Sequence, residues 1–306
     1  MIKDNIKQVV IWGYKFYGNT YCYVHGAFFK AFQFLGYKTL WLDNDDDIST
    51  IDFSGTLFIT AGNSESNMPK RDDSFYILHN VDTSNYIIPN THIINLQVYT
   101  NDVINKHFAI LMNRDTLTYY KDNTIYLPWA TDLLPHEINT NIGKLKYNNV
   151  ITKNETVFAG SYDNYWNDVV EFSKNNNIEF KCFYNIPMEE NMKLIQESLL
   201  APTVVSEWQN TNGYIPCRIF KNISYGKMGI TNSRIIYKLF HKKIIYDSNT
   251  ITMMQKGLEF ERLPREEKNK RVIELMEYVR DNHTYLQRID SIFWFFDNIV
   301  NPETDL

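Results

Sequence analysis

The sequence predicts an α/β protein made of two doubly wound domains of similar size joined by a linker. Three observations lead there. Short runs rich in β-branched and aromatic residues alternate with segments of helical apolar spacing along most of the chain. The alternation stops at a polar, Asn-rich stretch over residues 136–150 and then restarts. A length of 306 residues fits two domains of ordinary size. The expected division is therefore 1–135, a linker over 136–150, a second domain over 151–284 and a final helical segment over 285–306.

The first element is Gln8-Val9-Val10-Ile11-Trp12, an apolar run that reads as a buried strand. A turn with two glycines, Gly13 and Gly18, leads into helical spacing over residues 20–35, with Tyr21, Val24, Phe28, Ala31, Phe32 and Leu35 on one stripe. Gly36 stops that helix, and residues 39–42 form the next strand. Further strands are expected over 56–60, 75–78, 92–96 and 124–127. After the linker, strands are expected over 156–159, 178–183, 203–205, 228–231 and 243–246, and helices over 166–174, 189–199, 216–225 and 234–240. Helical spacing dominates from 265 onward, with Leu286, Ile289, Ile292, Phe293, Phe296 and Ile299 forming an apolar stripe near the end.

Composition narrows the classes. With 44% hydrophobic and 22% charged residues the chain is neither disordered nor fibrous. A net charge of −5 argues against nucleic acid as the main partner, because phosphate backbones select a basic face. Cys22, Cys182 and Cys217 have neither disulfide-framework nor zinc spacing. Residues 1–10 lack a secretory pattern, and no apolar run approaches the roughly 20 residues that span a bilayer. The expected location is cytoplasmic, which leaves the Asn-x-Ser/Thr sites at Asn154, Asn222 and Asn282 unused.

Ligands of open α/β sheets bind beyond the carboxyl ends of the strands. That places residues 13–19, 79–82, 160–165 and 212–218 at one cleft between the domains. In the second half, a glycine loop (Gly213-Tyr214) precedes a helix that starts near Arg218. Loop amides, a helix dipole and a guanidinium fork together suit a phosphate. In the first half, His79 and Asp82 follow a strand and His25 lies two turns into the first helix. An imidazole near its ordinary pKa is a suitable general base. The acidic run 43–47 invites a divalent-metal reading, but a solvated acidic loop fits it better. The Gly13 turn is not a dinucleotide fingerprint.

The order Arg218-x-Phe220, a short helix, Gly226 and a β-run ending in Thr231 resembles the donor-binding segment of GT-B glycosyltransferases, in particular the CgeB-like group and family 1-type donor domains. Val157-Phe158-Ala159-Gly160-Ser161 looks like the first strand and turn of such a domain, and Tyr126-Leu127-Pro128-Trp129-Ala130-Thr131-Asp132 like the last strand before the hinge. The resemblance implies two Rossmann-like domains facing across a cleft, with the C-terminal helix crossing back to the first. It implies transfer of a sugar from a nucleotide diphosphate sugar to a hydroxyl acceptor, a glycan above all, without a metal. Arg218, Gly160, Ser161, Gly213, Tyr214 and Gly18 become donor contacts, and His79, Asp82 and His25 candidates for the base. The position that is Glu in the family is Lys221 here, which cannot accept hydrogen bonds from sugar hydroxyls. Either another residue accepts in its place, with Asn222, Glu207 and Asn212 as candidates, or the donor is held differently, or activity is lost. A non-catalytic binding protein of the same fold is the alternative reading.

Overall fold

The structure, a computed structural model, describes residues 2–15, 20–61, 67–79, 92–98, 110–147 and 152–300. The chain forms two compact units, Met1–Pro128 with Tyr285–Leu306, and Trp129–Thr284.

The first unit holds an eight-stranded sheet. Its strands are β1 (Gln8–Trp12), β2 (Thr39–Leu42), β3 (Thr56–Ala61), β4 (Phe75–His79), β5 (His92–Gln97), β6 (Ile110–Asn113), β7 (Thr118–Lys121) and β8 (Thr124–Tyr126), in the order β2-β1-β3-β4-β5-β8-β7-β6. The pairs from β2 to β8 are parallel, and β7 and β6 extend the edge antiparallel. Every residue of β1 and β4 is buried, as expected for strands covered on both faces. One face carries Val10, Trp12, Phe58, Tyr76 and Leu78, with Phe58 stacked on Tyr76 at 5.1 Å. The helix Thr20–Phe34 buries Val24, Ala27, Phe28, Ala31 and Phe32. The C-terminal helix Tyr285–Phe295 packs on it: Tyr285 lies 4.6 Å from Phe28 and Phe293 lies 6.1 Å from Phe32, ring centre to ring centre.

The hairpin of β6 and β7 is absent from the strand assignment made on the sequence. Its turn was nonetheless encoded: the Asn113 side chain accepts from the N–H groups of Asp115 (2.9 Å) and Thr116 (3.1 Å).

The second unit contains β9 (Lys153–Ala159), β10 (Glu179–Phe183), β11 (Ser198–Leu200), β12 (Ile230–Thr231) and β13 (Ile245–Tyr246). Two small parallel sheets, β10-β9-β11 and β12-β13, are joined by one parallel bridge from Thr203 to Thr231, where the Thr203 N–H donates to Ile230 O at 2.7 Å. The strand expected over 203–205 is thus only that bridge; β11 lies earlier, in residues assigned to the end of a helix.

The linker expected over 136–150 is corrected. Residues Pro135–Tyr147 form a helix of the second unit, and the division falls after Pro128. A polar composition hid the stripe of Ile138, Asn141 and Ile142 that it buries. Its start is conventional: Pro135 opens the first turn, and the Glu137 carboxylate accepts from the Leu134 N–H at 2.7 Å. Among the described residues, no helix is long and apolar enough to cross a membrane.

Candidate functional site

The strand order of the second unit reverses between β9 and β11. At such a switch point the loops leaving the two strands diverge and open a crevice. Gly160 and Ser161 leave β9 there. The segment that follows Thr203 supplies the short helix Glu207–Thr211 and then the helix Cys217–Ser224, with Arg218 in its first turn.

Arg218 and Gly160 meet. The guanidinium carbon lies 4.3 Å from the centre of the Phe158 ring and 5.5 Å from that of Trp166, and those two rings stack at 3.9 Å. A planar cation over two aromatic faces is held by their quadrupoles as well as by burial. Gly160 continues the ladder through its N–H to Phe183 O (2.9 Å) and takes φ +150°. A Cβ there would stand 2.9 Å from Arg218 Nη2 and 3.0 Å from Phe158 Cζ, so only glycine admits the guanidinium. Arg218 Nε is buried and has no hydrogen-bond partner among the described residues. Burial pushes the Arg218 pKa down from its ordinary value, but arginine stays a cation in proteins.

One turn along the helix, Lys221 is also buried. Burial pushes its pKa down, while Cys217 and Asp132 oppose the shift and Arg218 adds to it. Asp132 is a buried carboxylate that accepts the Tyr225 hydroxyl at 2.9 Å on each oxygen. Burial and that carboxylate raise the Tyr225 pKa well above the ordinary value, so it remains a donor. Tyr214 receives a hydrogen bond from Trp129 Nε1 at 3.2 Å, next to the turn at Gly213 (φ +65°). Ser161 is exposed. This corner therefore gathers two cations, one buried carboxylate, an aromatic floor and a glycine that leaves room above it.

Asn222 follows Lys221 in the same helix. The residue is buried, and its Nδ2 donates to Ala201 O at 2.8 Å, which anchors the helix to the chain beyond β11. Its Oδ1, the atom that would accept from a sugar hydroxyl, is buried with no hydrogen-bond partner among the described residues. Asp132, Trp129 and Tyr225 went unassigned; the buried Asp132–Tyr225 pair spans 93 positions, which no local pattern reveals.

In the first unit, the structure brings His25 and His79 together, with ring centres 6.3 Å apart and nearly parallel. His25 Nδ1 lies 3.0 Å from Gly13 O, so it carries the proton there, and Trp41 Nε1 donates to the same carbonyl at 3.1 Å. Both imidazoles are fully enclosed. Burial lowers the His25 pKa to about 4, opposed by the Gly13 hydrogen bond and Asp43, and holds that of His79 well below the ordinary imidazole value, with His25 adding to the drop. This corrects the expectation of an accessible base tuned near neutrality. Gly18 and Asp82 lie outside the described residues. The acidic run is a self-tied turn: Asp43 Oδ2 accepts from Lys15 N (3.1 Å), Asp46 Oδ2 from Asp43 N (2.7 Å) and Asp47 Oδ1 from Ser49 N (3.0 Å).

Fold and switch point together define the class: this is the α/β fold of the GT-B glycosyltransferases. An α-glucosyltransferase solved with UDP and a 13-mer DNA containing an HMU base is similar over 95% of this chain and 99% of its own, with a TM-score of 0.62 at 8% identity. The α,α-trehalose 6-phosphate synthase of Burkholderia multivorans is similar over 94% and 98%, with a TM-score of 0.57 at 8% identity. AviGT4, a glycosyltransferase involved in avilamycin A biosynthesis, follows over 94% and 97%, at 0.50 and 9%. No protein-family model matches the sequence, and no curated protein matches it.

Proposed function

We propose that the protein is a glycosyltransferase that moves a sugar from a nucleoside diphosphate sugar to a hydroxyl acceptor, a glycan in the first instance. The carrying observation is Arg218: a half-buried cation at the switch point, held over two aromatic rings, with one N–H unspent among the described residues. The diphosphate that departs gains negative charge as the glycosidic bond breaks. A preorganised cation in a partly dry crevice favours that state more than the ground state. In this reading Arg218 forks onto the diphosphate, Lys221 adds a second positive charge from one turn deeper, and the turns at Gly160-Ser161 and Gly213-Tyr214 line the approach. Two fixed cations supply the charge for which other transferases recruit a metal, so turnover is metal-independent. The fold neighbours include proteins crystallised with UDP, which makes UDP the first nucleotide to try.

Asp82 is the base in this proposal. It stands three positions beyond the end of β4. Likeness to the CgeB-like group rests on the Arg218–Thr231 segment and belongs to the proposal. So does a glycan acceptor. Since some neighbours were solved with DNA, the acceptor panel carries both an oligosaccharide mixture and DNA with a hydroxymethylated base.

The test is calorimetric titration of UDP, GDP, CDP and dTDP, followed by release of UDP from UDP-glucose with each acceptor. One nucleoside diphosphate binds without added metal, and Arg218→Ala lowers turnover by about 10²–10³-fold, the usual effect of deleting one charge-stabilising donor. Failure of every nucleotide to bind overturns the proposal. Binding without turnover for any acceptor favours the non-catalytic reading, for which Lys221 at the hydroxyl-accepting position is the specific observation.

A further inference from the structure

Charge is distributed unevenly along the second unit. The chain has a net charge of −5, yet residues 208–246 hold seven Lys and Arg and no Asp or Glu. Arg218 and Lys221 stand at the crevice, and Lys227 donates to Ser198 O. The other four, Arg234, Lys238, Lys242 and Lys243, are exposed, as is His241.

The local fold gathers these five side chains. The helix Arg234–Leu239 buries Ile236 and Leu239, and Phe240 after it, which turns Arg234 and Lys238 outward one turn apart. The chain then closes on itself: the N–H groups of His241, Lys242 and Lys243 donate to Lys238 O (3.0 Å), Tyr237 O (2.9 Å) and Phe240 O (2.9 Å). His241 and Lys242 take φ +51° and +63° to do so. Glycine is the usual residue for such a left-handed closure, and here two basic side chains occupy it. The His241 ring stands edge-on to Tyr278 at 5.2 Å, and Tyr237 stacks on Tyr246 at 4.8 Å. Among the described residues none of the four Lys and Arg has an ion-pair partner, and Asp247, the next carboxylate along the chain, is held by Lys256 at 2.7 Å. A helix dipole favours cations at the C-terminal end and so accounts for residues 241–243, but it disfavours Arg234 at the other end.

The strands of this unit are parallel, so Arg234, just after β12, starts at the carboxyl edge that also carries Gly160. From there the strip follows the helix for roughly 9 Å toward the opposite edge. A row of spaced cations with two phenols beside it suits a chain of spaced negative charges joined by hydroxylated units. A lipid surface calls for exposed apolar side chains that insert, and residues 234–246 include no exposed large one. A nucleic acid, with a phosphate every ~1.7 Å of duplex axis, meets repulsion from a chain of net charge −5 beyond so short a strip. We propose that this surface docks an acidic polysaccharide, its carboxylate or sulfate groups on Arg234, Lys238, Lys242 and Lys243. Its role as a docking surface for the acceptor rests on the transferase reading, and it makes that acceptor an anionic glycan.

The probe is a galacturonate oligosaccharide, titrated calorimetrically into the full chain at low and at physiological salt. A neutral dextran oligosaccharide of equal length, a single-stranded oligodeoxythymidylate of equal charge and phosphatidylglycerol vesicles are parallel arms. Galacturonate binds, more weakly as salt rises, and dextran does not. The variant Arg234→Gln/Lys238→Gln/Lys242→Gln/Lys243→Gln weakens binding by about tenfold or more, while UDP binding and the melting midpoint stay as in the parent. The control Lys144→Gln/Lys146→Gln/Lys174→Gln/Lys270→Gln removes the same charge at exposed positions elsewhere in the unit and keeps the parent affinity. An equal loss in both variants reduces the effect to net charge and overturns the proposal, as does no heat at millimolar galacturonate. Tighter binding of the oligodeoxythymidylate or of the vesicles overturns the glycan assignment. Galacturonate binding by a chain that binds no nucleotide overturns the transferase reading and with it the acceptor role, and leaves the glycan surface standing.

Discussion

Gly160 and the buried histidines show how much a single position decides here. A methyl at Gly160 meets Arg218 Nη2 at 2.9 Å, on a backbone at φ +150° that L side chains rarely adopt. Gly160→Ala is therefore expected to displace the guanidinium. Affinity for nucleoside diphosphate, read by calorimetry, falls at least tenfold, and stability falls by about 1–3 kcal/mol. The histidines set the acid limit. His25 titrates at about 4 when folded and near 6.5 when unfolded, so between those values the unfolded chain binds more protons. Stability present at pH 7 is lost as pH falls from 6.5 to 4, by about 3 kcal/mol for His25 alone. Urea unfolding at pH 7 and pH 5 measures this, and His25→Gln flattens the difference; an unchanged slope would contradict the assigned burial. Arg218 was legible in the sequence because a glycine turn before a helix start is a local pattern. The enclosure of His79 was not: strand-end exposure depends on Phe28 and His25, which arrive from another element.

Among the elements, those with clear period and length were read within a residue or two: the helix Thr20–Phe34, the strands β1 to β5, the helix Cys217–Ser224. Elements of two or three residues have bounds finer than periodicity resolves: β11 falls at the end of the helix expected over 189–199, and β12 is the last half of the strand expected over 228–231. The helix Pro135–Tyr147 was missed for a different reason. Its exposed face carries His136, Asn139, Thr140, Lys144 and Lys146, and its buried face includes Asn141, whose Nδ2 donates to Ser224 O at 3.3 Å. A polar residue doing a core residue's task breaks the apolar pattern. Its start rests on the Glu137 carboxylate, so Glu137→Ala is expected to cost about 1 kcal/mol, seen as a lower denaturation midpoint with unchanged m-value.

At the scale of the whole molecule, the second unit is continuous and carries its own core, including Ile219, Phe220, Ile223, Met253, Met254 and Met276. Residues 129–284 expressed alone are expected to melt cooperatively and to retain nucleotide binding. The first unit cannot be excised so simply. It needs the C-terminal helix: Arg288, buried, donates from Nε to Pro128 O at 2.9 Å, and Phe295 lies 5.6 Å from Tyr120. Deleting residues 285–306 uncovers Phe28, Phe32 and Tyr120, and the truncated chain is expected to lose the unfolding transition of the first unit while keeping that of the second.

The split of the first unit around the second also fixes a timetable on the ribosome. Pro128 is made long before Tyr285, with roughly 150 residues between them. At synthesis rates of about 5–20 residues per second, the first unit waits roughly 8–30 s for its last helix. The second unit is complete before the first can close. Through that interval the nascent chain displays Phe28, Phe32 and Phe75 to its surroundings, and the aromatic stripe that later seals the fold is, for those seconds, the part a chaperone would meet.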